Sequence, residues 1–469
     1  MLPLVEFPQI VQHYAPWFET VFSSEALVQF QRYLSGLIIS ENKTVEGINR
    51  LFVFESRHQS SLNRLLTASP FSTTALNQQR LALLNSLPGT RMKRKGVFSV
   101  DDTLLTHYGR HFDEIALLYD PVDKRYTWAH NLVNLHYSDD QTDYPIQFQL
   151  WKPADLARLE QGLPAAGIRL RASKFALKES APKKWRQYLL GVWSRKQGQP
   201  AVAALYQSKL LIARQMLQHW VAAHPEWRLP VTFDNWYTQP AFCRFLDQEL
   251  ELPYVGTLAD DDQVILKRDQ LTLKEFAAQL QQEHHQAVKA GDKPVFHKIG
   301  ITYKGEKETY YSYCRTHRIH NYGRQRLVFN YNESDLSDSP SFYNSNRLRW
   351  QSGGITRIRR HRWPVEVYHE EGKAEGLDKY QVRDFQAISR HIGLVAVAYS
   401  LLQATPHDQA LLHQLRRQLE MDLEGSAPFW RRATQAQSLW ALAGFISAGL
   451  TQGQSLRELM APLLAAVCY

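Results

Sequence analysis

The chain has 469 residues, 44% of them hydrophobic and 12% aromatic, with 55 Lys and Arg against 46 Asp and Glu for a net charge of +9. That length accommodates a large core and several domains, and a basic balance favours a polyanionic partner. No run of about 18 uninterrupted apolar residues occurs, which argues against a membrane span. Cys243, Cys314 and Cys468 form no C-x-x-C pair, which argues against a zinc knuckle or a disulfide framework and suits a reducing cytoplasm. The first residues, Met1-Leu2-Pro3-Leu4-Val5-Glu6, lack a basic segment followed by an apolar one, so no signal peptide is expected.

Residues 1–95 read as helical. Apolar positions recur at helical spacing through Ala26–Leu34, Thr44 is placed to cap a helix running into Ile48 and Leu51, and Ser60-Ser61 opens another. With Arg57, Arg64 and Arg80 at polar positions, this part is expected to be a helical DNA-binding module. From Gly96 the period changes to that of strands. Val97–Val100 reads as a short strand running into Asp101-Asp102-Thr103, followed by strands at Glu114–Tyr119 and Tyr126–His136, a turn at Pro121–Lys124, and an edge strand at Pro145–Trp151. Lys183-Lys184-Trp185-Arg186 is a basic-aromatic cluster that reads as a solvated loop able to touch a nucleic-acid backbone. Val202–Ala223 reads as a helix, and Pro230–Phe233 as a buried strand ending in Asp234.

Residues 260–350 read as a β-rich insertion. Phe296–Tyr303 and Thr309–Arg315 alternate and pair across Lys304–Lys307, and Leu327–Tyr331 adds a strand. Beyond it, Arg347, Arg349, Arg357, Arg359, Arg360 and Arg362 fall within sixteen residues. Asp384–Gln403 is mostly apolar and is expected to pack on the sheet. Residues 406–469 read as amphipathic helices of balanced charge, suited to self-association. The whole is an α/β arrangement with its active site at strand ends: a catalytic core over 96–259 and 351–405, a helical N-terminal region, the 260–350 insertion and a helical C-terminal region.

Phosphodiester cleavage needs negative charge neutralised at the attacking and leaving oxygens, which two Mg²⁺ or Mn²⁺ ions held by carboxylates provide. Asp101 or Asp102, Asp234 and Glu366 supply such carboxylates, at two strand tips and a helix start. The intervals are 133 residues from Asp101 to Asp234 and 132 from Asp234 to Glu366. Arg362 and Glu366 are one turn apart, and Lys373 returns to the same face two turns later. Cations on both sides of a carboxylate suit a site that holds a metal and a phosphate together. Period-two alternation places Asp101 and Asp102 on opposite faces, so one of them alone faces the metals; the spacing leaves Asp101 and Asp102 as alternatives for the first acid. Trp236 and Tyr237 read as packing residues, and His130, His317 and His361 are not spaced as a metal set.

These residues resemble the DDE transposases of bacterial insertion sequences, in the cut-and-paste branch with an RNase H-like core. The resemblance rests on Val100-Asp101-Asp102-Thr103, on Thr232-Phe233-Asp234-Asn235-Trp236-Tyr237 and on Arg362-Trp363-Pro364-Val365-Glu366 with Lys373. It extends to Gly376–Arg383 and Ser389-Arg390-His391 and covers residues 96–405. It implies an RNase H-like mixed sheet with a β-rich insertion, and an enzyme that cuts double-stranded DNA at transposon ends with Mg²⁺ or Mn²⁺, two ions being expected. That enzyme joins the ends to target DNA as a homodimer, in the bacterial cytoplasm with the nucleoid. The branch carries a Tyr-x-x-Arg-x-x-x-Glu-x-x-x-x-x-x-Lys signature. Arg362, Glu366 and Lys373 match it, while Arg359 stands where Tyr is expected. In the family the Tyr, Arg and Lys positions hold phosphates, and its Asp-x-Thr pattern favours Asp101 over Asp102 as the first acid. An Arg binds phosphate bidentately but does not reproduce a phenol's hydrogen bond. Trp350 is the candidate for stacking a flipped base, as some members do. Arg64 and the Arg347–Arg362 stretch are expected to contact DNA. A catalytically silent DNA-binding descendant has the same pattern without cleavage. A carbohydrate-active enzyme with paired carboxylates would explain the twelve Trp but not the Arg cluster. No accessory targeting partner is specified.

Overall fold

A computed structural model of the chain describes residues 2–54, 57–267, 269–419 and 423–467; Cys468 lies outside the described residues. The centre is a mixed sheet. Strand β1 (Val97–His107) pairs antiparallel with β3 (Arg125–Ser138), which is joined by a tight turn to β2 (Ala116–Asp120) and pairs on its other edge with β4 (Asp143–Trp151). On its opposite edge β1 pairs parallel with β5 (Val231–Phe233), and β5 pairs parallel with β6 (Tyr254–Thr257). The run β4-β3-β1-β5-β6 is therefore three antiparallel strands followed by two parallel ones.

The sheet does not stop there. Strands β7 (Gln263–Ile265), β8 (Gln270–Thr272), β9 (His297–Tyr303), β10 (Glu306–Ile319), β11 (Gly323–Tyr331) and β12 (Ser341–Ser345) extend it, because β12 pairs antiparallel with β6. The result is a twelve-stranded, mostly antiparallel sheet. The β9–β10 hairpin turns at Lys304-Gly305, both with positive φ, as a two-residue hairpin requires. The second half of the sheet has its own apolar core around Val264, Phe276, Phe296, Leu327 and Phe329. Phe276 comes from a helix, Leu273–Ala290, that the strand-dominated reading of this region missed. Its signature was visible: Thr272 and Glu275 form a reciprocal capping box at its start.

One helix organises the other layer. Phe385–Ala404 is long and apolar enough to pass for a membrane span, but 83% of that apolar window is buried inside the protein, as expected of a helix packed on a sheet. The N-terminal helices Ser24–Ile39 and Thr73–Ser86 lie against it, and all share one apolar core with the sheet. Polar bonds fix the contacts: Tyr33 to His391 at 2.8 Å, Arg80 to Ser400 at 2.8 Å and Tyr399 to Asp143 at 2.8 Å. Thr44 caps the Val45–Asn49 helix as its sequence suggests. Arg80, expected at a polar position, is instead buried and donates to Ser400, Asn77 and the Pro145 carbonyl. An arginine with its donors satisfied is stable inside a core, so helical periodicity misplaces it.

Two further expectations change. The helix expected over Val202–Ala223 is two, Pro200–Ala203 and Lys209–Ala223, the second opened by a Ser208 cap. Residues Lys183–Arg186 lie on a helix, Pro182–Lys196, not in a loop. Trp185, Leu189, Val192 and Trp193 bury one face of that helix in a small core of its own with Leu159, Leu163 and Val202.

Candidate active site

Strand β1 does not end at its acids. It runs to His107 because β3 stays paired with it throughout, Asp101 opposite Asn134 and Asp102 opposite Val133. The parallel partner β5 stops sooner: Val100 pairs with Phe233, and the next residue on each strand is an acid, Asp101 and Asp234. Neighbouring strands lie about 4.8 Å apart, so the two carboxylates come side by side where the parallel pairing ends.

Alternation sends Asp102 the other way. Its carboxylate accepts from Asn131 Nδ2 at 2.6 Å, Lys209 Nζ at 2.8 Å and the Tyr237 hydroxyl at 2.8 Å. Lys209 also sits 4.1 Å from the centre of the Trp236 ring. Asp102 is thus bonded to three donors within the protein. Asn131, Lys209 and the Tyr237 hydroxyl are site neighbours that no sequence spacing announced. Tyr237 is buried as expected of a packing residue, while Trp236, expected to pack as well, is 43% exposed.

Asp101 faces the helices. Its Oδ2 accepts from Arg362 Nη1 at 2.7 Å, and its Oδ1 accepts from the Asp102 amide at 2.8 Å. Burial raises its pKa to about 7; Asp234 and Asp102 add to the rise and Arg362 opposes it. Burial also raises the Asp234 pKa, against hydrogen bonds from the turn that follows, including the Tyr237 amide at 3.1 Å. Glu366 lies in the first turn of the Trp363–Ala374 helix, where Pro364 suits an opening position. Its Oε1 accepts from Arg362 Nη2. One guanidinium therefore bridges Asp101 and Glu366. The backbone is held nearby by Ser99, whose hydroxyl donates to the His361 carbonyl at 2.9 Å, and by Ser138, bonded to His361 Nδ1 at 2.9 Å.

The basic stretch is used mainly within the protein. Arg357 pairs with Asp140 at 2.7 Å, and Arg360 grips both oxygens of Glu308. Arg347 donates to the Glu251 carbonyl at 2.9 Å. Arg359 donates to Thr257 Oγ1 at 2.8 Å and lies 5.7 Å from the Tyr343 ring centre. Burial, together with the charge of Arg362, lowers its pKa to about 10, against the pull of Tyr343, Glu366 and Asp234. Arg359 thus belongs to the same cluster. Arg349 and Arg64 are exposed, and Lys373 is half-buried on the Glu366 helix. Trp350 is half-buried against Val97, Val255, Val328, Ile355 and Ile358, and its carbonyl accepts from Arg326.

Among the described residues, no three His, Cys, Asp or Glu side chains are gathered closely enough to hold an ion as placed. The donor chemistry nevertheless fits a divalent cation. Asp101 and Asp234 are adjacent, hard oxygen ligands short of compensating positive charge, and the charge that does reach Asp101 and Glu366 comes from the Arg362 guanidinium. Asp101, Asp234 and Glu366 are the residues that would hold it, with Arg362 turned aside.

An α/β sheet with two acids where the pairing of adjacent parallel strands stops, and a third acid on a packed helix, forms a carboxylate cluster of the kind enzymes use to hold metal ions. The DDE superfamily endonuclease family matches residues 18–295, more than half of the chain, and the protein belongs to that family. Membership supports an enzyme of the nuclease or transposase type with DNA as its substrate. The matched span contains Asp101 and Asp234; Glu366, Arg362 and Lys373 lie beyond it. No curated protein matches the chain.

Proposed function

We propose that this protein is a transposase of an insertion sequence, of the branch that carries the Arg-Glu-Lys helix. It binds terminal inverted repeats, cleaves DNA with divalent metal and joins the freed 3′-hydroxyl to target DNA. The observation that carries this reading is that Arg362 bonds both Asp101 and Glu366, with Asp234 next to Asp101 where β5 stops pairing with β1, so that three segments far apart in sequence come together. The strand order β4-β3-β1-β5-β6 supports an RNase H-like core.

Metal bound by the carboxylates supplies charge neutralisation at the phosphate and activation of water or the 3′-hydroxyl. The chain's own residues do the rest. Asp101 is carried by β1 and Asp234 by the turn directly after β5, so the pairing of the two strands sets the carboxylates side by side. Arg362, once released from the carboxylates, is a bidentate phosphate ligand beside them. Lys373 adds a second cation two turns along the same helix face. Arg359 contributes positive charge from the Thr257 side, with the Tyr343 ring 5.7 Å from its guanidinium. The N-terminal helices, with Arg64 exposed, are assigned to the inverted repeat, and the C-terminal helices to pairing of two copies.

The test is cleavage of a duplex carrying the inverted repeats that flank the gene. Mg²⁺- or Mn²⁺-dependent nicking at the repeat ends is expected, and it is lost in Asp101→Asn, Asp234→Asn and Glu366→Gln. Specific binding of the repeats without cleavage under any divalent metal would instead establish a silent DNA-binding descendant.

A further inference from the structure

The positive charge of this protein is concentrated in one small part of it. Residues 152–205 carry eleven Lys and Arg against three Asp and Glu, a net charge of +8, whereas the whole chain carries +9. The other 415 residues are therefore almost neutral. This segment is the helical insert between β4 and the Lys209–Ala223 helix, with its own apolar core around Trp185 and Trp193.

Few of these cations are spent on the protein. Lys152 pairs with Glu114 at 3.3 Å, Lys178 pairs with Glu160 at 3.0 Å, and Arg158 donates to the Ala204 carbonyl at 2.7 Å. Arg169 and Arg171 are exposed on the loop before the Pro182–Lys196 helix, and on that helix Lys183, Lys184, Arg186, Arg195 and Lys196 are exposed as well. None of these seven is in an ion pair among the described residues. Lys184 and Arg195 are eleven residues apart, three full turns, and stand on one side of the helix. Trp185, Leu189, Val192 and Trp193 bury the neighbouring face against the insert's core, so these cations flank it towards solvent. Local stability does not explain this pattern. The first turn has Lys183 and Lys184, no acidic residue and no side-chain cap, although positive charge at a helix N-terminus is unfavourable. The Arg347–Arg362 stretch is the contrasting case, since most of its guanidinium groups are already bound to carboxylates or carbonyls.

One end of the insert leads to the site: the chain leaving it enters the helix whose first residue, Lys209, bonds Asp102 and covers Trp236. Lys183 sits 5.9 Å from the centre of the exposed Tyr126 ring, at the end of β3 away from the acids. We infer that residues 152–205 are the principal sequence-independent docking surface for duplex DNA, holding phosphates along the Pro182–Lys196 helix and leading the duplex to Asp101 and Asp234. This rests on DNA being the substrate and adds which surface carries the affinity.

The experiment measures binding of the full chain to a random-sequence DNA duplex across a NaCl series. Two variants are compared with wild type. One neutralises the insert (Lys183→Gln, Lys184→Gln, Arg186→Gln, Arg195→Gln, Lys196→Gln), and the other neutralises exposed lysines of the β-rich half (Lys289→Gln, Lys293→Gln, Lys307→Gln). Each lost phosphate contact lowers the slope of log K against log salt by about 0.9. The insert variant is expected to lose about 3 or more from that slope and at least about tenfold in affinity at low salt, while the second variant keeps the wild-type slope. In wild type, saturating duplex should protect Lys183, Lys184 and Lys196 from acetylation and leave Lys289 and Lys293 reactive, a readout independent of any variant's folding. Steep wild-type binding with an unchanged slope in the insert variant, or unprotected insert lysines, overturns the inference and leaves the transposase reading intact. Stronger competition by an RNA duplex than by DNA overturns the choice of partner. No binding of any duplex by wild type overturns both.

Discussion

Arg362 Nη1 lies 2.7 Å from Asp101 Oδ2, joining residues 261 positions apart in the chain. Arg362 also holds Glu366, so it occupies, as a guanidinium, the region of positive charge that a divalent cation would take. Both side chains of the Asp101 pair are nearly buried, at 11% and 13% exposure. Removing one partner of such a pair costs about 3–5 kcal/mol, because the other charge stays buried without compensation. Arg362→Ala is therefore expected to lower the melting temperature strongly at pH 8 without metal. Mn²⁺ should recover a larger part of that loss in the variant than it adds to wild type. Thermal melts with and without Mn²⁺ measure this, and an equal metal shift in both proteins would refute the placement.

Asp101 and Asp102 differ in surroundings, and substitution should separate them. Asp101→Ala is expected to abolish DNA cleavage. Asp102→Ala removes the acceptor for Asn131, Lys209 and Tyr237, so it should destabilise the fold by about 2–4 kcal/mol while leaving measurable cleavage. A nicking assay run alongside chemical denaturation distinguishes the two. Equal cleavage by wild type and Asp101→Ala would remove Asp101 from the site.

The pH dependence follows from the raised Asp101 carboxyl. Its pKa is about 7 in the folded protein against 3.8 as the ordinary value. The folded state therefore binds this proton more tightly than the unfolded state does. Stability from this group is complete below about pH 4 and is lost as pH rises through 7. Asp101→Asn abolishes that loss. Relative to wild type, the variant should gain about 2–4 kcal/mol between pH 5 and pH 8. Denaturant titrations at the two pH values check the sign. A wild-type protein that loses no more stability than the variant would show that Asp101 ionises normally.

A second buried charge cluster ties three parts of the chain together. Glu375 at the end of the Trp363–Ala374 helix is fully buried and accepts from Arg431 Nε at 2.7 Å, and Arg431 also bonds Glu371 at 2.7 Å. Burial pushes the Glu375 carboxyl up, against Arg431 and Lys43, and burial pushes the Lys43 ammonium down, against Glu375. Arg431→Ala should cost about 3–5 kcal/mol, and Glu375→Gln in the same background should return part of it. A double-mutant cycle by thermal denaturation gives the coupling.

Trp350 is packed on an apolar cluster beside the Ser352–Arg360 helix. Trp350→Ala is expected to cost about 1–3 kcal/mol, with Trp350→Phe recovering most of it. A stacking role for a flipped base predicts in addition a defect in excision that Trp350→Phe repairs. Excision by both variants in proportion to their folded fraction would leave packing as its whole role.

The elements best read from the sequence are those where local pattern and tertiary demand agree. The strand-period runs over Tyr126–His136 and Leu327–Tyr331 lie within β3 and β11, and Thr44 caps its helix as written. The apolar run at 384–403 is the buried helix it reads as. Misreadings arise where tertiary packing overrides the local pattern. β1 passes through its acids because β3 keeps pairing with it, Arg80 is buried because Ser400 and Pro145 receive its donors, and the Lys183–Arg186 cluster is helical because Trp185 needs a core.

By itself the sequence determined the chemical inventory: acids at 101, 102, 234 and 366, a helix spacing that ranks Arg362, Glu366 and Lys373 on one face, and an excess of positive charge. These follow from residue identity and from periods of 2 and 3.6, which are local. The tertiary structure alone decided which acid faces the helices and which is bonded away. It also decided that Arg362 spans Asp101 and Glu366, and that most of the arginine run is bound internally while the 152–205 insert leaves its cations in water. Those outcomes depend on which strands pair and on which donors meet which acceptors across hundreds of residues, and no spacing along the chain encodes that.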